Sequence, residues 1–148
     1  MIVVAQRCSS ASVPVDEAVV SKIDQGLLLL VGIEKGDGLL DIQKVVNKIS
    51  NLRIFEDENN KMNLSVMDVN GSLLVVSQFT LCCSVKKGRR PSFVNAKTPE
   101  LSFILYENLI TSFKEVGIHT LGGSFGKMMN VELINKGPAT FIINSKEI

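Results

Sequence analysis

The chain has 148 residues, a formal net charge of +1 and 45% hydrophobic residues, a composition typical of one globular domain, which we expect to span residues 1–148. No stretch approaches the ~18 consecutive apolar residues of a membrane span, and no signal peptide is evident, so we expect a cytoplasmic protein without a membrane partner. Three cysteines without C-x-x-C spacing and a single histidine, His119, argue against a disulfide framework, a metal site and a catalytic triad, and we expect no cofactor.

The N-terminal part of the chain predicts strands. Residues 2–8 form an apolar first strand that includes Arg7 near its end. Residues 11–15 and 18–23 are typical of a hairpin that turns at residues 16–17. Proline lacks a backbone N–H, so Pro14 would place its strand at a sheet edge.

A buried strand and a helix follow. The continuous apolar run within residues 27–34 predicts the strand. Asp37 is a plausible N-cap for a helix over residues 39–52, where apolar residues recur at helical spacing. Further along, an Asn-Gly turn at residues 70–71 predicts that a strand at 63–69 pairs antiparallel with the strand after it.

That next strand ends in polar residues. Four apolar residues, 73–76, predict a strand buried on both faces. If the extended geometry continues, Gln78 and Thr80 share one face while Ser77 and Phe79 share the other. These polar groups either satisfy one another at the strand end or form the floor of a pocket with hydroxyl, amide and backbone donors.

A basic loop over residues 83–97 follows the polar residues. It contains four cations within five residues: Lys86, Lys87, Arg89 and Arg90. Most charge runs are solvated loops, but this one could also contact the phosphates of a nucleic acid.

A second helix comes next. Thr98 is its predicted N-cap, Pro99 suits its first position, and Gly117 is expected to end it. Its predicted apolar face consists of Leu101, Ile104, Leu105, Leu109, Phe113 and Val116.

The chain ends with three predicted strands, at residues 118–121, 127–135 and 139–144. Two helices and about seven strands, mostly joined by hairpins, predict an α+β domain with a strongly curled, mostly antiparallel sheet. Between the last two strands, the Gly137-Pro138 pair is typical of a tight turn, and it is also a place where a cis peptide bond is tolerated.

Two short motifs together resemble the signature motifs of the D-aminoacyl-tRNA deacylases. They are Ser77-Gln78-Phe79-Thr80-Leu81 and Asn135-x-Gly137-Pro138-x-Thr140. The resemblance covers nearly the whole chain, with further similarity at Gln6-Arg7, at residues 26–32 and at residues 87–93. It implies a homodimer of curled, barrel-like subunits that hydrolyses D-aminoacyl-tRNA, and also glycyl-tRNA, including glycine mischarged on alanine tRNA.

The resemblance also implies roles for particular residues. Gly137 and Pro138, joined by a cis bond within the motif that begins at Asn135, would enter the partner subunit's pocket. There their main-chain carbonyls would hold the α-ammonium of the substrate and leave no room for an L side chain. Arg7 would brace this motif, and the four basic residues of the loop would contact the tRNA.

Ser77, Gln78, Phe79 and Thr80 would line the pocket that receives the 3′ end of the aminoacyl-tRNA. An aminoacyl ester is already activated, so hydrolysis needs a positioned water and backbone donors rather than a strong base. Thr80 has no evident base beside it in the sequence, and the resemblance assigns it a positioning role, with assistance from the 2′-hydroxyl of the tRNA.

Some positions depart from the commonest family pattern. Lys136 often corresponds to an acidic residue, Ala139 to valine, and residues 82–84 to an aromatic or small residue followed by an acidic one. These departures concern tRNA preference more than activity. Two other functions are compatible with the sequence: a non-catalytic tRNA-binding dimer that uses the basic loop, and an interaction scaffold.

Overall fold

The structure is a computed structural model that describes residues 1–15, 18–86 and 88–148. This part of the chain contains a six-stranded sheet, a separate two-stranded sheet and two α-helices. The strands are β1 (Ile2–Val15), β2 (Ala18–Ile23), β3 (Gly26–Gly32), β4 (Phe55–Glu56), β5 (Met62–Leu64), β6 (Ser72–Ser77), β7 (Thr120–Gly122) and β8 (Glu132–Asn144). The helices are α1 (Leu39–Asn51) and α2 (Pro99–Glu115), and a short 3₁₀ helix spans Phe79–Cys82.

The long strand β1 organises the main sheet. It pairs antiparallel with β8 along one edge, and with β3 and then β2 along the other. Beyond β3 the pairing is parallel, to β6 and then to β7. The sheet curls far enough that Ser21 of β2 donates a hydrogen bond to the carbonyl of Gly122 in β7 (2.6 Å). The predicted α+β class with a curled, barrel-like sheet is therefore confirmed.

The central strands are buried on both faces, which explains their continuous apolar runs. In β6, Leu73 and Val75 lie in the core between the sheet and the two helices. Leu74 and Val76 lie in a second core on the opposite face, together with Leu28 of β3.

The first helix begins at Leu39 as predicted, but its N-cap lies one residue after the predicted one. Gly38 is the N-cap, and the carboxylate of Asp41 accepts a hydrogen bond from the Gly38 amide (2.9 Å). The buried carboxylate of Asp37 instead accepts a hydrogen bond from the amide of Glu34 (2.6 Å) and forms an ion pair with the Met1 ammonium (2.7 Å). The prediction that Asp37 caps the helix is therefore wrong.

The second helix has the predicted boundaries but buries a different stripe. Thr98 is the N-cap, Pro99 is the first residue, and Gly117 follows the helix with φ +90°. Of the predicted apolar face, Leu105, Leu109 and Phe113 are buried, whereas Leu101, Ile104 and Val116 are exposed. Tyr106 and Ile110 occupy the core instead, because the helix turns these positions toward the sheet.

Three strand predictions are corrected. The Asn70-Gly71 turn does not join paired strands, because β5 pairs with β4 while β6 lies between β3 and β7. The segments predicted as separate strands at 2–8 and 11–15 form the single strand β1. Those predicted on either side of Gly137 form the single strand β8.

The first predicted hairpin is confirmed in its pairing, since β1 and β2 are antiparallel neighbours, while its turn at residues 16–17 lies outside the described residues. Neither helix of the described chain has the length and apolar character needed to cross a membrane.

Candidate functional site

The first part of the candidate site is a turn at the end of β6. Ser77 is the last strand residue and pairs with Val31, whose carbonyl accepts a hydrogen bond from the Gln78 amide (2.8 Å). The chain then enters the 3₁₀ helix instead of continuing as a strand. Gly32 permits this close packing, because a Cβ there would lie 2.9 Å from Cys82 Sγ. The extended geometry considered for residues 77–80 therefore does not continue beyond Ser77.

The turn brings its polar side chains together. Gln78 Nε2 donates a hydrogen bond to Thr80 Oγ1 (2.5 Å), and Thr80 is exposed. The first amides of a helix have no partner inside it, which leaves those of Phe79 and Thr80 pointing away from the 3₁₀ helix. The turn thus presents a hydroxyl, a side-chain amide and main-chain donors at the surface.

An aromatic pair borders the turn. The Phe79 ring is 61% exposed and lies 5.1 Å from the Phe93 ring, centroid to centroid. Phe93 belongs to the basic loop, and its position next to the turn was not predicted. The only sequence signal for it was its place as the sole aromatic residue of that loop.

Nothing in the described chain activates Thr80 as a nucleophile, since the recorded hydrogen-bond partner of its hydroxyl is the amide of Gln78. His119 lies at the end of β6 opposite the turn, where its main-chain carbonyl accepts a hydrogen bond from the amide of Leu73.

Cys82 lies in the same 3₁₀ helix as Thr80. Burial raises the pKa of its thiol to about 11, so this cysteine stays neutral and unreactive at neutral pH.

The backbone behind the turn is tied to α2. The Tyr106 hydroxyl donates to the carbonyl of Val75 (2.8 Å) in β6 and also contacts that of Gly123 (3.3 Å). Burial raises the pKa of Tyr106, which keeps its proton available for this hydrogen bond. Tyr106 therefore fixes the strand that carries the turn.

The second part of the candidate site is a bulge in β8. Gln6 of β1 pairs with Thr140, and Cys8 pairs with Asn135, so residues 136–139 face Arg7 alone. Gly137 and Pro138 lie within this bulge, are exposed, and are joined by a cis peptide bond. The interpretation as a tight turn between two strands is wrong, because the bulge interrupts one continuous strand.

The side chain of Arg7 forms a hydrogen bond with the main chain of the bulge. Arg7 is 3% exposed, and all of its hydrogen bonds in the described chain go to main-chain carbonyls or a carboxylate. They are Nε to the carbonyl of Lys136 (2.8 Å), Nη1 to that of Ile54 (2.7 Å) and Nη2 to Oε1 of Glu56 (3.2 Å). The contacts with Ile54 and Glu56 were not predicted, because they join segments far apart in sequence.

The turn and the bulge are not brought together within one chain. Ser77 pairs with Val31 of β3, which pairs in turn with Val3 of β1. Val3 lies four residues along β1 from Arg7. With three strand spacings between β6 and β8, the two motifs lie about 20 Å apart.

The basic loop starts beside the turn. Ser84 and Ser92 close its base with two main-chain hydrogen bonds (2.8 and 2.9 Å). Lys86, Arg89 and Arg90 are exposed, and Lys87 lies outside the described residues. The closed base and the contact between Phe93 and Phe79 place this positive charge next to the turn.

Two surface grooves of the described chain lie elsewhere. One of about 390 Å³ is lined by residues of α1 and α2, including Val46 and Ser112. Another, of about 350 Å³, lies between Val66 and His119. Neither of these two grooves includes a residue of the turn or the bulge.

Comparisons with known proteins show which proteins the whole chain is similar to. The family model of the D-Tyr-tRNA(Tyr) deacylases matches residues 4–144. Proteins named D-aminoacyl-tRNA deacylase from Flavobacterium psychrophilum and Aquifex aeolicus are 52% and 51% identical, over 99% and 100% of this chain and 98% and 100% of their own. The solved structure of a c-Myc DNA unwinding element binding protein superimposes with a TM-score of 0.93 at 37% identity, covering 97% of this chain and 98% of that one.

Proposed function

Because the chain belongs to the D-Tyr-tRNA(Tyr) deacylase family, we propose that it is a hydrolase that cleaves the ester bond of D-aminoacyl-tRNA. The products are the free D-amino acid and the tRNA, so the activity is a form of tRNA editing. The observation that carries this proposal is the exposed turn at the end of β6, with its hydroxyl, amide and main-chain donors in the sequence Ser77-Gln78-Phe79-Thr80.

The turn supplies what ester hydrolysis requires. A water oxygen attacks the carbonyl carbon, the bond to the ribose oxygen breaks, and a proton passes to that oxygen. Main-chain amides at the start of the 3₁₀ helix would stabilise the developing oxyanion. Thr80, oriented by Gln78, positions the reacting groups, and the ribose 2′-hydroxyl assists proton transfer.

The exposed aromatic pair suits the terminal nucleoside of the tRNA. Unpaired bases are commonly held by stacking on aromatic side chains. Phe79 and Phe93 together offer such a surface beside the turn. The terminal adenine would stack there, which places the ester near Thr80.

Discrimination between D and L substrates is assigned to the bulge. Gly137 and Pro138 would present main-chain carbonyls to the α-ammonium of the substrate, braced by Arg7 through the Lys136 carbonyl. The side chain of Asn135 lies beside the same segment, since its Oδ1 occupies the space that a Cβ on Gly137 would need. A rigid main chain at this point excludes an L side chain but not glycine, so glycyl-tRNA, including glycine mischarged on alanine tRNA, is also a substrate.

The active enzyme is proposed to be a homodimer. The separation of about 20 Å along the sheet supports this, because it keeps the turn and the bulge of one chain apart. In the dimer, the bulge of one subunit enters the pocket of its partner. The site would then consist of Ser77, Gln78, Phe79 and Thr80 from one subunit and the Gly137-Pro138 motif from the other.

The basic loop is proposed to contact the acceptor arm of the tRNA. Its exposed cations lie next to the turn, where phosphates near the 3′ end would pass. Lys86, Arg89 and Arg90 are the described residues of this contact, and Lys87 belongs to it by sequence. A cytoplasmic location, where aminoacyl-tRNA is found, is part of the same proposal.

The decisive experiment compares deacylation of matched D- and L-tyrosyl-tRNA by the purified protein, with glycyl-tRNA alongside. Cleavage of the D and glycyl esters with the L ester intact is the expected result. Binding of tRNA without cleavage of any ester would instead favour the non-catalytic tRNA-binding dimer. Equal cleavage of D and L esters would leave a hydrolase but remove the role assigned to the bulge.

A further inference from the structure

Arg7 connects the bulge in β8 to a part of the molecule outside the main sheet. β4 and β5 form a separate two-stranded sheet, and Glu56 is the last residue of β4. Its carboxylate lies 3.2 Å from Nη2 of Arg7. The same guanidinium donates to the carbonyl of Lys136, directly before Gly137.

The two charged side chains of this ion pair differ in their exposure to solvent. The side chain of Arg7 is 4% exposed, whereas that of Glu56 is 41% exposed. A guanidinium always carries its charge, and a buried charge is stable only when it is paired and hydrogen-bonded. Glu56 supplies the one carboxylate recorded within ion-pair distance of Arg7 in the described chain, while the other two acceptors are neutral carbonyls.

We propose that Glu56 is a positioning residue for substrate discrimination, acting through Arg7 on the bulge that carries Gly137 and Pro138. The Ile54 carbonyl binds Nη1 and the Glu56 carboxylate binds Nη2. These two contacts fix the plane of the guanidinium and therefore the direction of its Nε–H. That N–H sets the position of the Lys136 carbonyl. This inference rests on the proposed function, because it assigns Glu56 to the same discrimination step.

The test compares Glu56→Gln with Glu58→Gln. The first keeps the size and one acceptor oxygen but removes the charge. Glu58 lies two residues away, is exposed, and has no recorded hydrogen bond or ion pair among the described residues, which makes it a matched control. Steady-state kinetics with D- and L-tyrosyl-tRNA are measured for both, together with hydrogen exchange of the amides of residues 136, 137 and 139.

For Glu56→Gln we expect KM for the D substrate to rise about threefold to fivefold with kcat unchanged, and the ratio of D to L cleavage to fall by a similar factor. Amide exchange in the bulge should become faster, while α1 keeps its protection. Glu56→Asp should recover part of the loss. A second change, Arg7→Met, removes the guanidinium and should make the Glu56→Gln substitution ineffective, because the effect of Glu56 passes through that group.

Identical kinetics and exchange in the Glu56→Gln and Glu58→Gln variants would overturn the inference and leave Glu56 as a surface ion pair. If the unsubstituted protein cleaves no D-tyrosyl-tRNA, the proposed function fails. In that case the exchange measurement alone decides whether Glu56 positions the bulge.

Discussion

At the level of single residues, the hydrogen bond from Gln78 to Thr80 determines how the threonine hydroxyl can act. The hydroxyl accepts from an amide and has no recorded carboxylate or imidazole partner in the described chain. Such a group can orient a water or the substrate, but it is not activated to attack the ester. The chemistry must therefore depend on placement of the substrate more than on a reactive side chain.

Replacing Thr80 with valine tests this placement. Thr80→Val removes the hydroxyl at nearly constant volume, and we expect kcat/KM for D-tyrosyl-tRNA to fall about tenfold, which corresponds to the loss of one hydrogen bond. Thr80→Ser keeps the hydroxyl and should retain most activity. A loss of about 10⁴-fold in Thr80→Val, with an acyl-enzyme detected by mass spectrometry in the unsubstituted protein, would identify Thr80 as a nucleophile.

Gly137 is a second residue of interest, because a side chain at this position would meet neighbouring atoms. A Cβ at this position would overlap Asn135 Oδ1 and lie 3.3 Å from the amide nitrogen of Ala139. Gly137→Ala should therefore displace the bulge and lower kcat/KM for D-tyrosyl-tRNA at least about tenfold. The thermal midpoint should hardly change, because the bulge is exposed.

Gly38→Ala is the matched control for this substitution. A Cβ on Gly38 meets no atom within 4 Å, and its φ of −151° is accessible to alanine. Equal activity in the two variants would show that the bulge tolerates a side chain at Gly137, against the role proposed for it.

At the level of elements, the sequence patterns correctly predicted a strand whose residues are buried. They did not predict features that depend on contacts between segments distant in the sequence. The apolar run at residues 73–76 predicted a strand buried on both faces, and it is one. Its end could not be predicted, because the 3₁₀ turn packs over Gly32, a residue more than forty positions earlier. The Asn70-Gly71 turn is locally typical of a hairpin, but β6 pairs with β3 and β7 instead.

Gly26 marks the place where β3 and β6 begin to pair. A Cβ there would overlap the main-chain carbonyl of Ser72, its partner in the register. The backbone cannot yield as a side chain would, so Gly26→Ala should lower the free energy of unfolding by about 2–3 kcal/mol. Urea denaturation measures this against Gly38→Ala, which loses only the preference for glycine over alanine at a helix N-cap, and equal midpoints would contradict the predicted overlap.

The basic loop allows a test of its own. Replacing Lys86, Arg89 and Arg90 with alanine should raise KM for aminoacyl-tRNA and leave kcat nearly unchanged. If each cation neutralises one phosphate, the plot of log association constant for tRNA against log salt concentration should become less steep by about 2. The control replaces Lys22, Lys48 and Lys114, which are exposed on other elements. An unchanged salt dependence in the loop variant would make the loop a solvated surface.

At the level of the whole molecule, the two sequence motifs lie in separate parts of the sheet of a single chain. Both motifs can be recognised in the sequence, and the structure places each at a distinct feature, a strand-end turn and a strand bulge. Their separation of about 20 Å follows from strand order and register, which no local pattern encodes. The contacts of Arg7 with Ile54 and Glu56 were missed for the same reason.

The separation leads to a prediction about mixed dimers. One variant carries a damaged turn, with Gln78 and Thr80 both replaced by alanine, and an intact bulge. The other carries Gly137→Ala and an intact turn. If each site combines the turn of one subunit with the bulge of the other, the heterodimer contains one intact site and one site with both defects. We therefore expect about half of the unsubstituted activity, although each variant alone is nearly inactive.

The measurement uses two affinity tags to isolate heterodimers after coexpression, followed by deacylation of D-tyrosyl-tRNA. Heterodimers of each variant with the unsubstituted chain serve as controls, and each should also retain one intact site. If every chain built its own site, the mixed dimer of the two variants would contain one defect in each site and would be as inactive as its parents, whereas both control dimers would keep half activity. That pattern would show that the turn and the bulge of the same chain serve one site, and it would contradict the proposed insertion of the bulge into the partner's pocket.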